Sequence, residues 1–515
     1  MTKRAKEWWL LALGFGLLVL SQTRWGVAPL AWVAPVPLLM ALRSRRDARF
    51  RWSFAGLSLL AWSLATLKIV TEPLPWAFAL AYGIPLALVH LPAYFMWDVL
   101  VKRGHDIAAC AAFAAGTALL EWGQAELTPL GVWGATPATQ LGQLAVLQLI
   151  SVAGMPGLAL LMNAVSASIE AVLARRLCLP TAAALAGATA IALTWGAFRA
   201  VEPIAGPTVR AAMLRTESTV GGLPVPDAER RRRDHDTLLE RTRTAASAGA
   251  QLVVWPEAGN LIMPDEEATF MREARTAASE HRIDLVVSYI KPVSFEPLRY
   301  ENRARWLGPD GRERIAYLKH HPVPGEPAIA GAAPAETILT RFGLATLAIC
   351  YDYDFPSLGR AHAQSGAGLI ALPSSDWRGI DPIHTEMAAM RAIEGGFSIV
   401  RATRFGLSAG IDAHGRLRGQ QSTNESTEPF VIATVPTTRI ATVYSALGNL
   451  VLIPLFALLG WSLWPLVPRA RRRASEVEAA PATSSARAHS QPWGAPRACG
   501  QSAPDRRERW LFHLG

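Results

Sequence analysis

Cysteine is almost absent from this sequence: four residues in 515, at positions 110, 178, 350 and 499. So few, so far apart, exclude a fold stapled by disulfides. Charge is scarce as well, 18% of residues against 51% hydrophobic, and the mean hydropathy of +0.20 exceeds that of an average soluble domain. No internal repeat is present, which excludes solenoids and propellers. The formal charge of +10 comes partly from short Lys/Arg clusters between apolar blocks, so it is not read as a nucleic-acid-binding surface.

What is present is long apolar blocks at 7–22, 28–42, 52–70, 75–101, 106–122, 144–174, 180–198 and 447–467. A membrane crossing needs about 20 mainly apolar residues. The first two blocks are short, and 144–174 is long enough to include a re-entrant or interfacial piece. Lys and Arg concentrate in "MTKRAKE" at the N-terminus, in 43–51, in 101–106, at Arg175 and Arg176, and in "RARRR" after the last block. The alternate loops, 21–29, 71–75 and 123–143, are poor in both. Positive loops stay cytoplasmic, so the pattern predicts about eight transmembrane helices with both termini inside and residues 207–440 outside. A cleaved signal peptide at 7–22 is the weaker reading, because further apolar blocks follow at once without a small-residue cleavage site. The expected organisation is a membrane domain over 1–200, an external domain over 207–440, a last transmembrane helix over 445–468 and a basic tail over 469–515. The tail is rich in Ala, Ser, Pro and Arg, a composition expected to be disordered. Trp25, Trp122 and Trp133 near span ends are expected to form an interfacial belt.

Within 207–440 short apolar runs alternate with amphipathic helices, which predicts an α/β fold with mixed sheets. "TVRAAML" (208–214) and "QLVVWPE" (251–257) read as strands, and "DG" at 310–311 as a two-residue hairpin turn. "FGLATLAIC" (342–350) reads as a strand ending on Cys350, the lone cysteine of this domain, where a thiol is expected to be exposed. Ligand sites gather where such strands end, and Glu257, Lys319 and Cys350 all stand at or just after strand ends. Singly, each has a structural explanation: a helix-start acid, a solvated hairpin lysine, a core thiol.

Together, "VVWPEAG", "YLKHHPVPGEP" and "AICYDYDFP" resemble the nitrilase superfamily, whose site is a Glu, a Lys and a Cys. The resemblance extends through "LPSSDW" (372–377) and "EMAAMRAIEGGFSIVRAT" (386–403). With apolar blocks on both sides, the chain is similar over roughly 7–467 to the membrane branch of that superfamily, the apolipoprotein N-acyltransferases. The resemblance implies an α-β-β-α sandwich on the periplasmic side of a bacterial inner membrane. It implies Cys350 as nucleophile, Glu257 as general base and acid, and Lys319 as stabiliser of an oxyanion. Glu326 in "PGEP" takes an orienting or proton-relay role, with Tyr351 and Asp352 in support. The implied reaction is ping-pong. A phospholipid acylates Cys350 through a thioester, and the amino group of a diacylglyceryl-cysteine on an apolipoprotein then takes the acyl chain.

The sequence also departs from that pattern. "PVPGE" (322–326) stands for "VPFGE", Asp352 for a glutamate, "TRFG" (403–406) for "TNNG", "RTES" (215–218) for a "QGN"-like turn, and Gln124 for a common arginine. These positions leave open a membrane-tethered amidase, or an acyltransferase acting on another amine. No cofactor and no metal are expected. Adjacent His320 and His321 point opposite ways on a strand and are read as entrance or surface residues.

Overall fold

The computed structural model describes residues 2–467 apart from 46, 219–223, 334 and 335. The expected tail, with Cys499, lies outside the described residues. The apolar blocks form helices Lys3–Ser21, Pro35–Ser44, Ala48–Leu67, Phe78–Lys102, Asp106–Leu127, Ile150–Leu173 and Leu179–Val201, and a last helical stretch, Val443–Leu466, follows the α/β domain. Four of these are long and apolar enough to cross a membrane: Phe78–Lys102, Ile150–Leu173, Leu179–Val201 and Val443–Leu466. The remaining blocks coil but fall short of that measure. Pro35–Ser44 has only ten residues. Lys3–Ser21 and Ala48–Leu67 begin with charged residues, and Asp106–Leu127 contains Asp106, Glu121 and Glu126. The helix Ile150–Leu173 is broken at Gly154, where φ is +64° and an added Cβ would lie 2.4 Å from the Tyr444 ring.

Among the described residues the α/β domain has twelve strands: β1 (Thr208–Leu214), β2 (Leu252–Val254), β3 (Asp284–Phe295), β4 (Leu298–Leu307), β5 (Glu313–Leu318), β6 (Ile338–Thr340), β7 (Gly343–Leu347), β8 (Leu369–Ser375), β9 (Ser398–Arg404), β10 (Leu407–Ile411), β11 (Leu417–Ser422) and β12 (Phe430–Pro436). They form two six-stranded sheets, ordered β12-β1-β2-β3-β4-β5 and β11-β10-β9-β8-β7-β6. At each centre three strands run parallel, β1-β2-β3 and β7-β8-β9, flanked by antiparallel neighbours.

Side-chain parity builds the layers. Val209, Ala211, Met213, Leu252, Val254 and Val286 join a core with Ala345, Leu347 and Ala371 of the other sheet. Their neighbours Ala212, Leu214, Val253, Leu285 and Val287 face outward, against Leu238, Leu239, Phe270 and Ala274 of helices Ala228–Ser247 and Glu267–His281. Helices Pro356–Gln364 and Ile383–Gly395 accompany the second sheet, so the expected α-β-β-α sandwich is present. Two details differ from the sequence reading. The hairpin at Asp310–Gly311 is not a two-residue turn: β4 ends at Leu307 and β5 starts at Glu313, and the loop closes on Gly308 N donating to Arg312 O at 2.8 Å. Strands β6 and β11 were not expected, the first being three residues long and the second, "LRGQQS", polar throughout most of its length.

Every residue of Ile383–Gly395 except Glu386 is buried, because this helix is covered by the sheet on one side and the helical region on the other. Ile383, Met387, Met390 and Ile393 share a cluster with Ile69, Val132, Trp133, Ile150 and Met155. Polar contacts fix the docking: Trp377 Nε1 donates to Ile69 O at 2.7 Å, and Met155 N donates to Glu394 Oε1 at 3.1 Å. Gly379 is required there, since a Cβ would lie 1.9 Å from Ile69 O. We expect Gly379→Ala to lower the thermal midpoint in detergent, at a cost of about 1–3 kcal/mol as for overpacked cores. An unchanged midpoint would show that the two regions are not held by this contact.

Candidate active site

Three strand ends deliver the sequence-selected residues to one place. The chain leaves β2 through Trp255 and Pro256, and Glu257 N donates to Ser374 O of β8 at 3.2 Å, tying the sheets together. Lys319 follows β5, its N donating to Asn302 O at 2.9 Å. Its ammonium donates to Glu257 Oε1 and to Glu326 Oε2, both at 2.8 Å. Glu257 and Lys319 are 3% and 1% exposed, so the pair operates away from water's screening. Asn302 of β4 donates from one amide nitrogen to Glu257 Oε1 at 2.7 Å and to Glu326 Oε1 at 3.2 Å. Tyr300 Oη and Val323 N also donate to Glu326, at 3.3 and 2.9 Å. Burial lowers the pKa of Lys319, but Glu257, Glu326 and Cys350 outweigh it and hold the ammonium well above its ordinary value. Burial raises that of Glu326, yet Lys319 holds it below the usual carboxylate range.

Cys350 follows β7 and opens a tight 3-10 turn, Cys350–Asp354, with φ at +46°. Positive φ is costly for a side-chain-bearing residue, of order 1–3 kcal/mol. The same conformation recurs at Ala258, after Glu257, and at Phe405, after Arg404, so three strand ends make left-handed turns around one site. The thiol is not exposed as expected: Cys350 is 4% exposed and Sγ donates to Ser375 O at 3.3 Å. Burial, then the charge of Glu257, push its pKa well up, and Lys319 pulls it down without prevailing.

The supporting residues divide. Asp352 is fully buried and accepts from Ile349 N, His320 N, His321 N and Tyr317 Oη at 2.7 to 3.0 Å. It ties the nucleophile turn to the chain just after Lys319. His321 stacks on Phe355 with ring centres 3.9 Å apart and His320 packs on Tyr317; both are half-buried. Tyr351 turns toward the helical region, its hydroxyl donating to Pro129 O. Trp133 is not in an interfacial belt: it is 6% exposed and its Nε1 donates to Asp354 Oδ2 at 2.7 Å.

Three features escaped the sequence reading. Asn302 gave no signal among the alternating polar residues of a hairpin. Arg404 was visible only as a departure in "TRFG"; it is buried, and its guanidinium donates to Ser375 Oγ at 3.1 Å and Ser218 O at 3.1 Å. The third is an ion cluster beside the nucleophile. His384 bridges Asp376 Oδ1 at 2.6 Å and Asp354 Oδ1 at 3.0 Å, and Arg401 donates to both Asp376 oxygens at 2.8 and 3.0 Å. Ligand atoms of Cys350, Asp376 and His384 lie within 4.8 Å of one another, a spacing that suits a metal ion. The chemistry does not: both His384 nitrogens face carboxylates and Arg401 occupies Asp376, so the charges are already matched. Burial lowers the pKa of His384, but Asp354 and Asp376 outweigh it and raise it to about 9. A raised pKa stabilises the fold fully below the ordinary value of 6.5 and loses that contribution as pH passes 9. We expect wild type to exceed His384→Gln in stability by up to roughly 3 kcal/mol below that lower value, with the gap closing toward the upper one. A pH-independent gap in denaturation midpoints would contradict a charged His384.

Comparison with known proteins fits this geometry. Residues 210–444 match the carbon-nitrogen hydrolase family, and residues 15–168 match the apolipoprotein N-acyltransferase N-terminal domain. An apolipoprotein N-acyltransferase of Geobacter metallireducens is 28% identical over 80% of this chain and 87% of its own. One from Gloeobacter violaceus is 28% identical over 79% and 84%. A solved amidase of Nesterenkonia sp. covers 46% of this chain and 93% of its own at 21% identity, with a TM-score of 0.38. The chain is an enzyme, similar over both matched segments and most of its length to the apolipoprotein N-acyltransferases.

Proposed function

We propose that this chain is a multi-span membrane enzyme that moves a fatty acyl group from a phospholipid to the amino group of a diacylglyceryl-cysteine at the start of an apolipoprotein. Cys350 attacks the ester carbonyl as Glu257 takes its proton. The oxyanion forms beside the Lys319 ammonium and the backbone N–H after Cys350, the ester C–O bond breaks, and Glu257 returns the proton to the departing lysophospholipid alcohol. The amine then attacks the thioester, the C–S bond breaks, and the amine's proton passes through Glu257 to the thiolate. Glu326 and Asn302 hold the ammonium and the base in register. A thioester suits this exchange because it keeps the acyl group reactive toward an amine.

The observation that carries the proposal is the Lys319 ammonium shared by Glu257 and Glu326 at 2.8 Å each, beside a buried thiol on a left-handed turn. In that dry setting a fixed ammonium contributes several kcal/mol of transition-state stabilisation. The membrane part of the proposal keeps about eight crossings, with the sandwich on the periplasmic side of the inner membrane, both termini cytoplasmic, and domains over 1–200, 207–440 and 445–468. Four crossing-length helices and the Lys/Arg distribution between the blocks support it.

Membranes incubated with acyl-labelled phospholipid should acquire hydroxylamine-sensitive label on Cys350, and Cys350→Ala should acquire none. Glu257→Gln and Lys319→Met should each slow labelling at least about a hundredfold with the protein still folded; normal labelling in either would remove its role. Ammonia released from a small amide, without a lipid adduct, would identify an amidase instead. A tag near residue 300 should react with an impermeant reagent from the external face, and protection there would reverse the orientation.

A further inference from the structure

A cavity of about 820 Å³ opens where the helical region meets the second sheet. Residues 21–26 and 138–141 form one wall. The segment 378–386 and the β10–β11 hairpin form the other. Its lining is polar and carries charges that are not spent within the protein. Glu386, the single residue of its helix that is not buried, has a carboxylate with no hydrogen bond or ion pair among the described residues, and burial alone raises its pKa. Arg378 is exposed and Arg24 lies 4.7 Å over the Trp25 ring; among the described residues neither meets a carboxylate. These charges line one cavity without pairing, so the walls hold them apart. The hairpin turns Gln420 and Ser422 to the same space, and Ser422 Oγ and Asn424 Nδ2 fix the floor by donating to Asp381 Oδ2 at 2.7 and 2.8 Å.

The cavity is adjacent to the chemistry. Its wall, 378–383, is the stretch of chain between Asp376 and His384, whose ligand atoms lie within 4.8 Å of Cys350 Sγ. Polar walls with separated charges of both signs do not suit acyl tails. They suit an extended polypeptide, which offers amide groups along its length and side chains of either charge. Resting on the transferase reading above, we infer that this groove seats the polypeptide segment that follows the acceptor's lipidated cysteine, with Glu386 facing its cationic groups and Arg378 and Arg24 its anionic ones.

The test uses the full-length protein in micelles, with Glu386→Gln and Arg378→Ala variants and two acceptors: a diacylglyceryl-cysteine dipeptide and a charged decapeptide bearing the same lipid. The variants should raise KM for the decapeptide about tenfold, a loss of roughly 1.4 kcal/mol. KM for the dipeptide and the rate of thioester formation on Cys350 should stay as in wild type. Unchanged KM for both acceptors would overturn the assignment. So would slower thioester formation with unchanged acceptor KM, which would give the groove to the phospholipid headgroup. A wild-type protein that forms no thioester would overturn the transferase reading and the groove's assignment with it.

Discussion

One buried ammonium, Lys319, lies between the buried carboxylate of Glu257 and the half-buried one of Glu326, and much of the domain is arranged to keep it there. Taking three charges out of water is expensive, and the cost is met only when geometry is good and remaining lone pairs are bonded. Here Asn302 spans both carboxylates, and Tyr300 and Val323 complete Glu326. Removing the ammonium would leave two acids facing each other. Burial, then the charge of Glu257, hold the pKa of the adjacent thiol well up against the pull of Lys319.

That arrangement draws on both sheets. Glu257 comes from β2, Asn302 from β4 and Lys319 from the end of β5, all in the first sheet, whereas Cys350 ends β7 in the second. Asp352 joins them by accepting the backbone N–H groups that follow Lys319 while fixing the turn that carries Cys350. The same turn reaches the helical region through Tyr351 to Pro129 and Asp354 to Trp133. A shift of the helices against the sandwich would therefore be felt at the nucleophile within one turn of chain. Coupling through two-sided burial of Ile383–Gly395 has the same consequence, because a helix packed on both faces cannot move alone.

The parts legible in the sequence were those encoded locally. Continuous apolar strands ending in Glu257 and Cys350 announced both residues, and the motifs around them supplied Lys319 and Glu326. The helix and strand order of the sandwich followed from periodicity, apart from the short β6 and the polar β11. What stayed hidden depends on contacts across long separations. Asn302 looks like any polar residue of a hairpin until β4 is placed beside β5. Trp133 has the position of an interfacial tryptophan, and only the docked sandwich shows it bonded to Asp354. Asp354, His384, Asp376 and Arg401 stand on four different elements, so no local pattern joins them. Cys350 misled in a different way: a strand end predicts exposure, but this one packs into the core shared by the two sheets.

The most direct test of the central claim is the pH dependence of Cys350 alkylation in the resting protein. Burial, and after it the charge of Glu257, raise the thiol's pKa, so reactivity in wild type should rise only above the ordinary thiol value of 9, and Glu257→Gln should move that rise to lower pH. A thiolate already reactive at neutral pH, and indifferent to Glu257, would contradict the account.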